Sequence, residues 1–230
     1  IICSDERTVF TVGSQGVEYA LVAQWRARGM LDAQHTAPVL SAVNQIFAVS
    51  GSCALTTADQ IAVAEAKGFQ ILDLDASTAT DQRRLAAEMG FIQAECLSLL
   101  SQGHDVLVTT ARGPDDPMVA RVAEAIATYR ATSSDVNARL GTALGQLVSD
   151  IRRKTKMQRI AISGGDTSGH ALTQLRADAL SAVAPLAPGA PLCRVHTRAD
   201  PAIDGLEVTL KGGQMGQPTF FLEAKGGPQT

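Results

Sequence analysis

Short apolar runs bounded by polar or glycine residues recur along the chain, at 8–12, 46–49, 70–73, 105–109, 159–162, 192–194 and 206–211. Runs of this length that end at turn-forming residues read as strands, and their near-continuous apolar character marks strands covered on both faces. Between them apolar residues return at helical spacing, which predicts helices over 17–28, 57–67, 81–102, 117–130, 134–153 and 170–180. Local start and stop signals agree. The helix over 81–102 stops at Gly103, Pro117 follows Asp115-Asp116 as a first-turn proline should, Ser134 or Asp135 caps the next helix, and Thr57 with Gln60 fits a capping box. Strands alternating with helices predict an α/β fold, a mainly parallel sheet with helices on both faces and glycine-rich loops at the strand C-terminal edge. Pro185, Pro188, Gly189 and Pro191 form a linker-like stretch only a few residues long, which reads as a connection inside the domain.

Three of the strand ends share one kind of continuation. The run at 160–162 enters Ser163-Gly164-Gly165-Asp166-Thr167-Ser168-Gly169, the run at 9–12 enters Gly13-Ser14-Gln15-Gly16, and the run at 46–49 enters Ser50-Gly51-Ser52-Cys53, each followed by a helical pattern. Glycines let backbone N–H groups approach a charged oxygen, and a helix start adds unpaired donors and the positive end of its dipole. This is anion-binding geometry; an ordinary strand-to-helix turn with Thr167 or Ser168 as N-cap is the plainer alternative. In open parallel sheets ligands sit outside the strand carboxyl ends, so recurring loops of this kind would line one edge of one cleft. A late segment, Leu210-Lys211-Gly212-Gly213-Gln214-Met215-Gly216, adds a lysine beside closely spaced glycines, which suits a phosphate although the GxxxxGK[ST] pattern is absent. Alone it reads as a turn with an exposed lysine; on the same sheet edge as the other loops it points to a shared nucleotide site.

Composition narrows the class. With 230 residues, 45% hydrophobic and 19% charged, the chain is globular and long enough for one large or two modest α/β domains. Net charge of -3 and a pI near 5.8 argue against nucleic acid as a partner, and no apolar run reaches the length of a membrane span. The basic cluster Arg152-Arg153-Lys154-Thr155-Lys156 reads as a solvated helix end. Cys3, Cys53, Cys96 and Cys193 form no CxxC pair, which argues against a zinc site or disulfide framework and fits a reducing cytoplasm. His35, His104, His170 and His196 are scattered, and GxSxG is absent. With neither an initiator Met nor a signal-like segment, the chain reads as beginning in the middle of something.

Taken together, Val12 to Gly16, Val49 to Cys53 with Thr56 to Gln60, Ser163 to Gly169, Pro188-Gly189-Ala190-Pro191-Leu192, and Leu210 to Gly216 with Phe220-Phe221 resemble the C-terminal part of the four-carbon acid sugar kinase family. The resemblance extends over nearly the whole chain. It implies ATP-dependent phosphorylation of sugar acids such as threonate, erythronate or their oxo forms, with Mg2+ as the accompanying ion. In that reading Gly164, Gly165, Thr167, Ser168 and Gly169 cradle phosphates, Ser50 and Ser52 add donors, and Lys211, Gly213 and Gly216 close the other side. Asp166 either holds Mg2+ or stabilises the turn. The Asp-Asp-x-Thr-Gly motif of the family's acid-sugar-binding domain is absent, so residues 1–30 read as the end of that domain or its junction, and 31–230 as the nucleotide-binding domain. The catalytic base and the sugar acid would then belong to the missing domain, leaving this piece inactive by itself. Met215 stands where the family usually has an aromatic residue. The expected partners are ATP or ADP and, through the missing domain, a four-carbon sugar acid; a homodimer is left open. The rival of a different class is a non-catalytic nucleotide or phosphate-binding regulatory module. A dinucleotide-dependent oxidoreductase needs GxGxxG after the first strand, which Gly13-Ser14-Gln15-Gly16 does not supply.

Overall fold

The structure, a computed structural model, describes residues 10–31 and 40–226, which fall in two compact units. The first holds one helix, α1 (Gln15–Ala27). Residues 10–12 form no strand, while Thr8, Val9, Cys3 and His35 lie outside the described residues. The expected first strand is therefore corrected over its described part, 10–12, and Gly13-Ser14 leads directly into α1, with Ser14 as N-cap. A short apolar run does not determine its own conformation, and no neighbouring strand pairs with residues 10–12.

The second unit is built on seven strands: β1 (Phe47–Ser50), β2 (Gln70–Asp73), β3 (Val106–Thr109), β4 (Arg159–Ser163), β5 (Ala179–Ala187), β6 (Ala190–His196) and β7 (Glu207–Lys211). They form one sheet in the order β2-β3-β1-β4-β7-β6-β5, parallel from β2 through β7 and antiparallel for β6 and β5. Alternate residues of the central strand serve opposite faces, as the two-residue period of a strand requires. Phe47 and Val49 pack with Cys96 of α3 (Gln82–Ser101), Leu144 of α5 (Ser133–Thr155) and Ala171 of α6 (Gly165–Gln174). Ala48 packs on the other side with Ile61 of α2 (Leu55–Ala66) and Phe220 of α7 (Phe220–Gly226). The expected mainly parallel sheet with helices on both faces is thus observed. A buried ion pair fastens it: Arg159 reaches Glu207 at 2.7 Å and donates to the Ala224 carbonyl at 3.0 Å, joining β4, β7 and α7.

Several helix starts follow the sequence. Asp81 accepts from the Arg83 and Arg84 amides, and Asp116 caps α4 (Pro117–Tyr129) through the Met118 amide. The cap of α5 is Thr132, which accepts from the Asp135 amide, rather than Ser134 or Asp135. The helix expected over 170–180 ends at Gln174, and β5 follows it. β5 was hidden because Ala, Ser and Pro show no β-type pattern; it is an edge strand, where Pro185 breaks no inner ladder. Pro188-Gly189 is the hairpin turn into β6, with Gly189 at φ +74°. Among the described residues no helix is long and apolar enough to cross a membrane.

Candidate functional site

The parallel strands end in one row. Ser50 is in register with Ser163 on one side and Thr109 on the other, Ser163 with Lys211, and Thr109 with Asp73. The chain leaving β1 enters α2, which packs on one face of the sheet, and the chain leaving β4 enters α6, which packs on the opposite face. Neighbouring loops that diverge in this way open a crevice at the carboxyl edge between β1 and β4. Two of the three early glycine loops meet there; residues 13–16 belong to the other unit.

The β4–α6 loop is shaped by its backbone. Gly164 has φ +117°, a conformation that side chains rarely adopt, and its amide donates to the Lys211 carbonyl at 2.9 Å. The Gly51 amide likewise donates to the Ser163 carbonyl at 3.0 Å, so the ladder runs one residue past the strands. The N-cap of α6 is Gly164, not Thr167 or Ser168. The first bond inside the helix runs from the Ser168 amide to the Gly164 carbonyl, leaving the amides of Gly165, Asp166 and Thr167 without an intrahelical acceptor. Gly165 and Gly169 face open space: a Cβ added at either would meet nothing within 4 Å. Ser168 Oγ donates to the Gly164 carbonyl at 2.7 Å. Ser163 Oγ is buried and has no hydrogen-bond partner among the described residues. Asp166 is exposed in the first turn, and no side chain, its own included, caps this helix.

Thr167 joins the two loops. It is buried, and a Cβ on Gly51 would overlap its Oγ1. Glycines absent from the sequence-derived site set the position of α6 itself. A Cβ at Gly141 of α5 would press on the His170 ring, and one at Gly145 would lie 2.8 Å from the Ala171 Cα. Two glycines four residues apart in a helical pattern are the signal that marks this close helix packing.

The β1–α2 loop holds itself together through the expected serines. Ser50 Oγ accepts from the Ser52 amide at 3.4 Å, and Ser52 Oγ accepts from the Ala54 amide at 3.3 Å. The capping box is corrected: the N-cap of α2 is Ala54, and both Thr57 and Gln60 point at the late glycine loop. Thr57 Oγ1 donates to the Gly213 carbonyl at 2.8 Å, and Gln60 Nε2 donates to the Met215 and Gln217 carbonyls at 2.9 and 3.0 Å. Lys211 is 1% exposed, so the exposed-lysine reading of this turn fails. Its Nζ donates to Thr57 Oγ1 at 3.1 Å and to the Gly212 carbonyl at 3.2 Å, and stands 5.6 Å from the centroid of the Phe220 ring. Among the described residues no carboxylate faces it, and burial pushes its pKa down to about 8. Gly213 is packed so closely on Ser52 that a Cβ would overlap the serine Oγ, and Gly216 has φ +84° against Phe220. The Met215 sulfur folds back over Gly212, 3.2 Å from where a Cβ would stand.

The crevice thus gathers Ser50, Ser52, Gly164, Gly165, Asp166, Thr167, Ser168 and Gly169, with Lys211, Gly213 and Gly216 beside it. Residues 47–221 match the nucleotide-binding C-terminal domain family. The chain belongs to this family, that of the four-carbon acid sugar kinases. It is 41% identical over 213 residues to a 3-oxo-isoapionate kinase of Paraburkholderia graminis, covering 93% of this chain and 45% of that protein. It is 28% identical over 220 residues to a 3-oxo-tetronate kinase of Methylobacterium radiotolerans, covering 94% of this chain and 47% of that protein. The chain spans about half the length of these relatives. The fold is also that of the Haemophilus influenzae DUF1537 protein HI1011, at TM-score 0.65 and 18% identity over 86% of this chain and 43% of that one. A Bordetella bronchiseptica DUF1537 protein, a domain-swapped dimer with bound citrate, aligns at TM-score 0.56 and 19% identity over 80% of this chain and 41% of that one.

Two consequences for this nucleotide-binding domain are measurable. Gly51→Ala should lower stability by about 1–3 kcal/mol through overlap with Thr167, and adding Thr167→Ala should recover at least about 1 kcal/mol of that loss. Urea denaturation of the two single variants and the double variant checks this; strictly additive losses would show that the loops do not touch. The buried ammonium gives a pH signature. With a folded pKa near 8 against an ordinary 10.5, the unfolded chain holds a proton that the folded chain has released between those values. Stability contributed by this group therefore rises with pH across that window, by up to about 1.4 kcal/mol per pH unit. Denaturation across the window should show the rise, and Lys211→Met should remove it.

Proposed function

We propose that this chain is the nucleotide-binding part of an ATP-dependent kinase that phosphorylates four-carbon sugar acids of the threonate, erythronate or oxo-tetronate type. The observation that carries this reading is the crevice between β1 and β4, where unpaired amides and open glycine surfaces converge. Those features fit phosphate oxygens. ATP supplies a phosphoryl group whose transfer concentrates charge on oxygen, which fixed donors stabilise without reorganising.

In this reading the amides of Gly165, Asp166 and Thr167 bind phosphate oxygens at the positive end of α6. Gly165 and Gly169 leave the approach clear. Ser50 and Ser52 keep the neighbouring loop in shape, while Lys211, Gly213 and Gly216 hold the far wall. Asp166 takes the metal role, since it caps nothing and is exposed in the first turn of α6. Among the described residues no group of three His, Cys, Asp or Glu side chains could hold a metal. Mg2+ at Asp166 would complete its oxygen shell with phosphate and water, as this ion commonly does. The sugar acid and the base that activates its hydroxyl are assigned to the remaining half of the relatives' length, so this chain alone binds nucleotide without transferring phosphate. The names of the relatives, kinases of 3-oxo sugar acids, support an oxo acid as the substrate. A cytoplasmic setting accords with the free thiols of Cys53, Cys96 and Cys193.

Calorimetric titration with ADP, in Mg2+ and in a chelator, tests the reading. The chain should bind ADP, and Asp166→Asn should weaken binding about tenfold in Mg2+, the worth of one good charge-assisted contact, while leaving metal-free ADP unchanged or slightly tighter. No ADP binding at millimolar concentration would overturn the site, and an unaltered Mg2+ effect in Asp166→Asn would remove the metal from Asp166.

A further inference from the structure

On one face of the sheet α3 and α5 lie side by side and run in the same direction. Toward their carboxyl ends Gln93 Nε2 donates to Asp150 Oδ2 at 2.9 Å, and Lys154 Nζ donates to Gln93 Oε1 at 3.0 Å. At the other end Arg139 Nη1 donates to the Ala79 and Thr80 carbonyls, just before α3 begins. Between the two helices runs an open groove of about 650 Å3, lined by residues of α3 and α5 alone. Its floor is Leu85 and Leu147, both buried, and its rims carry Ala86, Met89 and Gly90 of α3 and Ala143 of α5. An outward helix pair that is apolar at its centre and polar at its ends has the form of an interaction surface.

Charge selects the occupant. Along α5 stand Asp135 and Arg139, four residues apart near one end, and Asp150 and Lys154, four residues apart near the other. Reversing this order exchanges every sign. A second α5 laid antiparallel, about a two-fold axis crossing between Leu144 and Gly145, sets Asp135 against Lys154 and Arg139 against Asp150, and does so at both ends. A slip of one turn either way sets like against like, Asp135 on Asp150 or Arg139 on Lys154, so the pattern fixes one register. Asp150 is steadied by the neutral Gln93 and Gln146, and Arg153, 3.4 Å away, is itself paired with Asp200 at 2.7 Å. The Gln93–Asp150 bond carries the same axis across to α3, where it places Met89 over Ala86, Leu85 over Gly90 and Gln82 over Gln93. Large side chains then meet small ones. Helices of 20 and 23 residues offer a strip about 30 Å long and about 20 Å wide. Two such strips bury about 1,200 Å2, within the range of specific interfaces.

We propose that the groove between α3 and α5 is an interface between two copies of this chain, in which these helices pack antiparallel on the same helices of a second copy. The proposal is independent of the phosphate reading, since no residue of the crevice lines the groove. Sedimentation velocity of the full chain over a range of concentrations tests it. Ala86, Thr142, Asp135 and Lys154 are all exposed, so substitutions there leave folding intact, which circular dichroism checks. The chain should sediment as a dimer at about 20 µM, and Ala86→Glu and Thr142→Glu, which put charge into the apolar centre, should sediment as monomers there. Asp135→Lys should weaken the dimer about tenfold, because symmetry counts each substitution twice, and adding Lys154→Asp should return it to within about threefold of wild type. A wild-type chain still monomeric at about 100 µM, or a dimer that Ala86→Glu and Thr142→Glu leave intact, overturns the proposal. A second charge change that restores nothing overturns the antiparallel register.

Discussion

The site depends on the hydrogen-bonded ladder of β1, β4 and β7 continuing one residue past the strands. The Gly51 amide on the Ser163 carbonyl, and the Gly164 amide on the Lys211 carbonyl, fix three loops to one another at main-chain precision. Everything at the crevice is placed from there. Gly164 can turn sharply because it lacks a side chain, α6 begins at once, and its first amides face outward from a buried base. The site is thus built from backbone and held by a rigid sheet, and substitutions of its side chains act mainly through packing.

A second constraint is the polar interior beneath the late loop. An ammonium with almost no exposure and, among the described residues, no carboxylate partner is costly, and it persists because Thr57 Oγ1 and two glycine carbonyls surround it. Thr57 and Gln60 lie on the first turns of α2, so the helix that follows β1 also sets the loop that follows β7. That linkage carries the position of α2 across to Gly213 and Gly216.

Much of this was legible in the sequence where the signal is local. Strands β1 to β4 and β7 are compact apolar runs, Asp81 and Asp116 cap as short acidic residues do, and the two glycine loops mark the strand ends that matter. What was not legible depends on contacts between distant segments. Thr57 and Gln60 have the spacing of a capping box, yet their side chains are captured by carbonyls more than 150 residues away. Lys211 beside glycines looks solvent-facing until Phe220 and α2 cover it. β5 has no alternation to betray it, and its strand character comes from pairing with β6. The positive φ of this loop falls on Gly164, which is also the N-cap, because the helix starts sooner than Thr167 or Ser168 as its cap would place it.

The central claim is that nucleotide phosphates bind between β1 and β4. Backbone amide chemical shifts of the isotope-labelled chain, followed as ADP is added, test it most directly. The account predicts that the largest changes fall on Gly51, Ser52 and Gly164 through Gly169, with α3 and the facing side of α5 nearly silent. Changes concentrated instead on Ala86, Gly90, Ala143 and Leu147, the groove between those two helices, would contradict it.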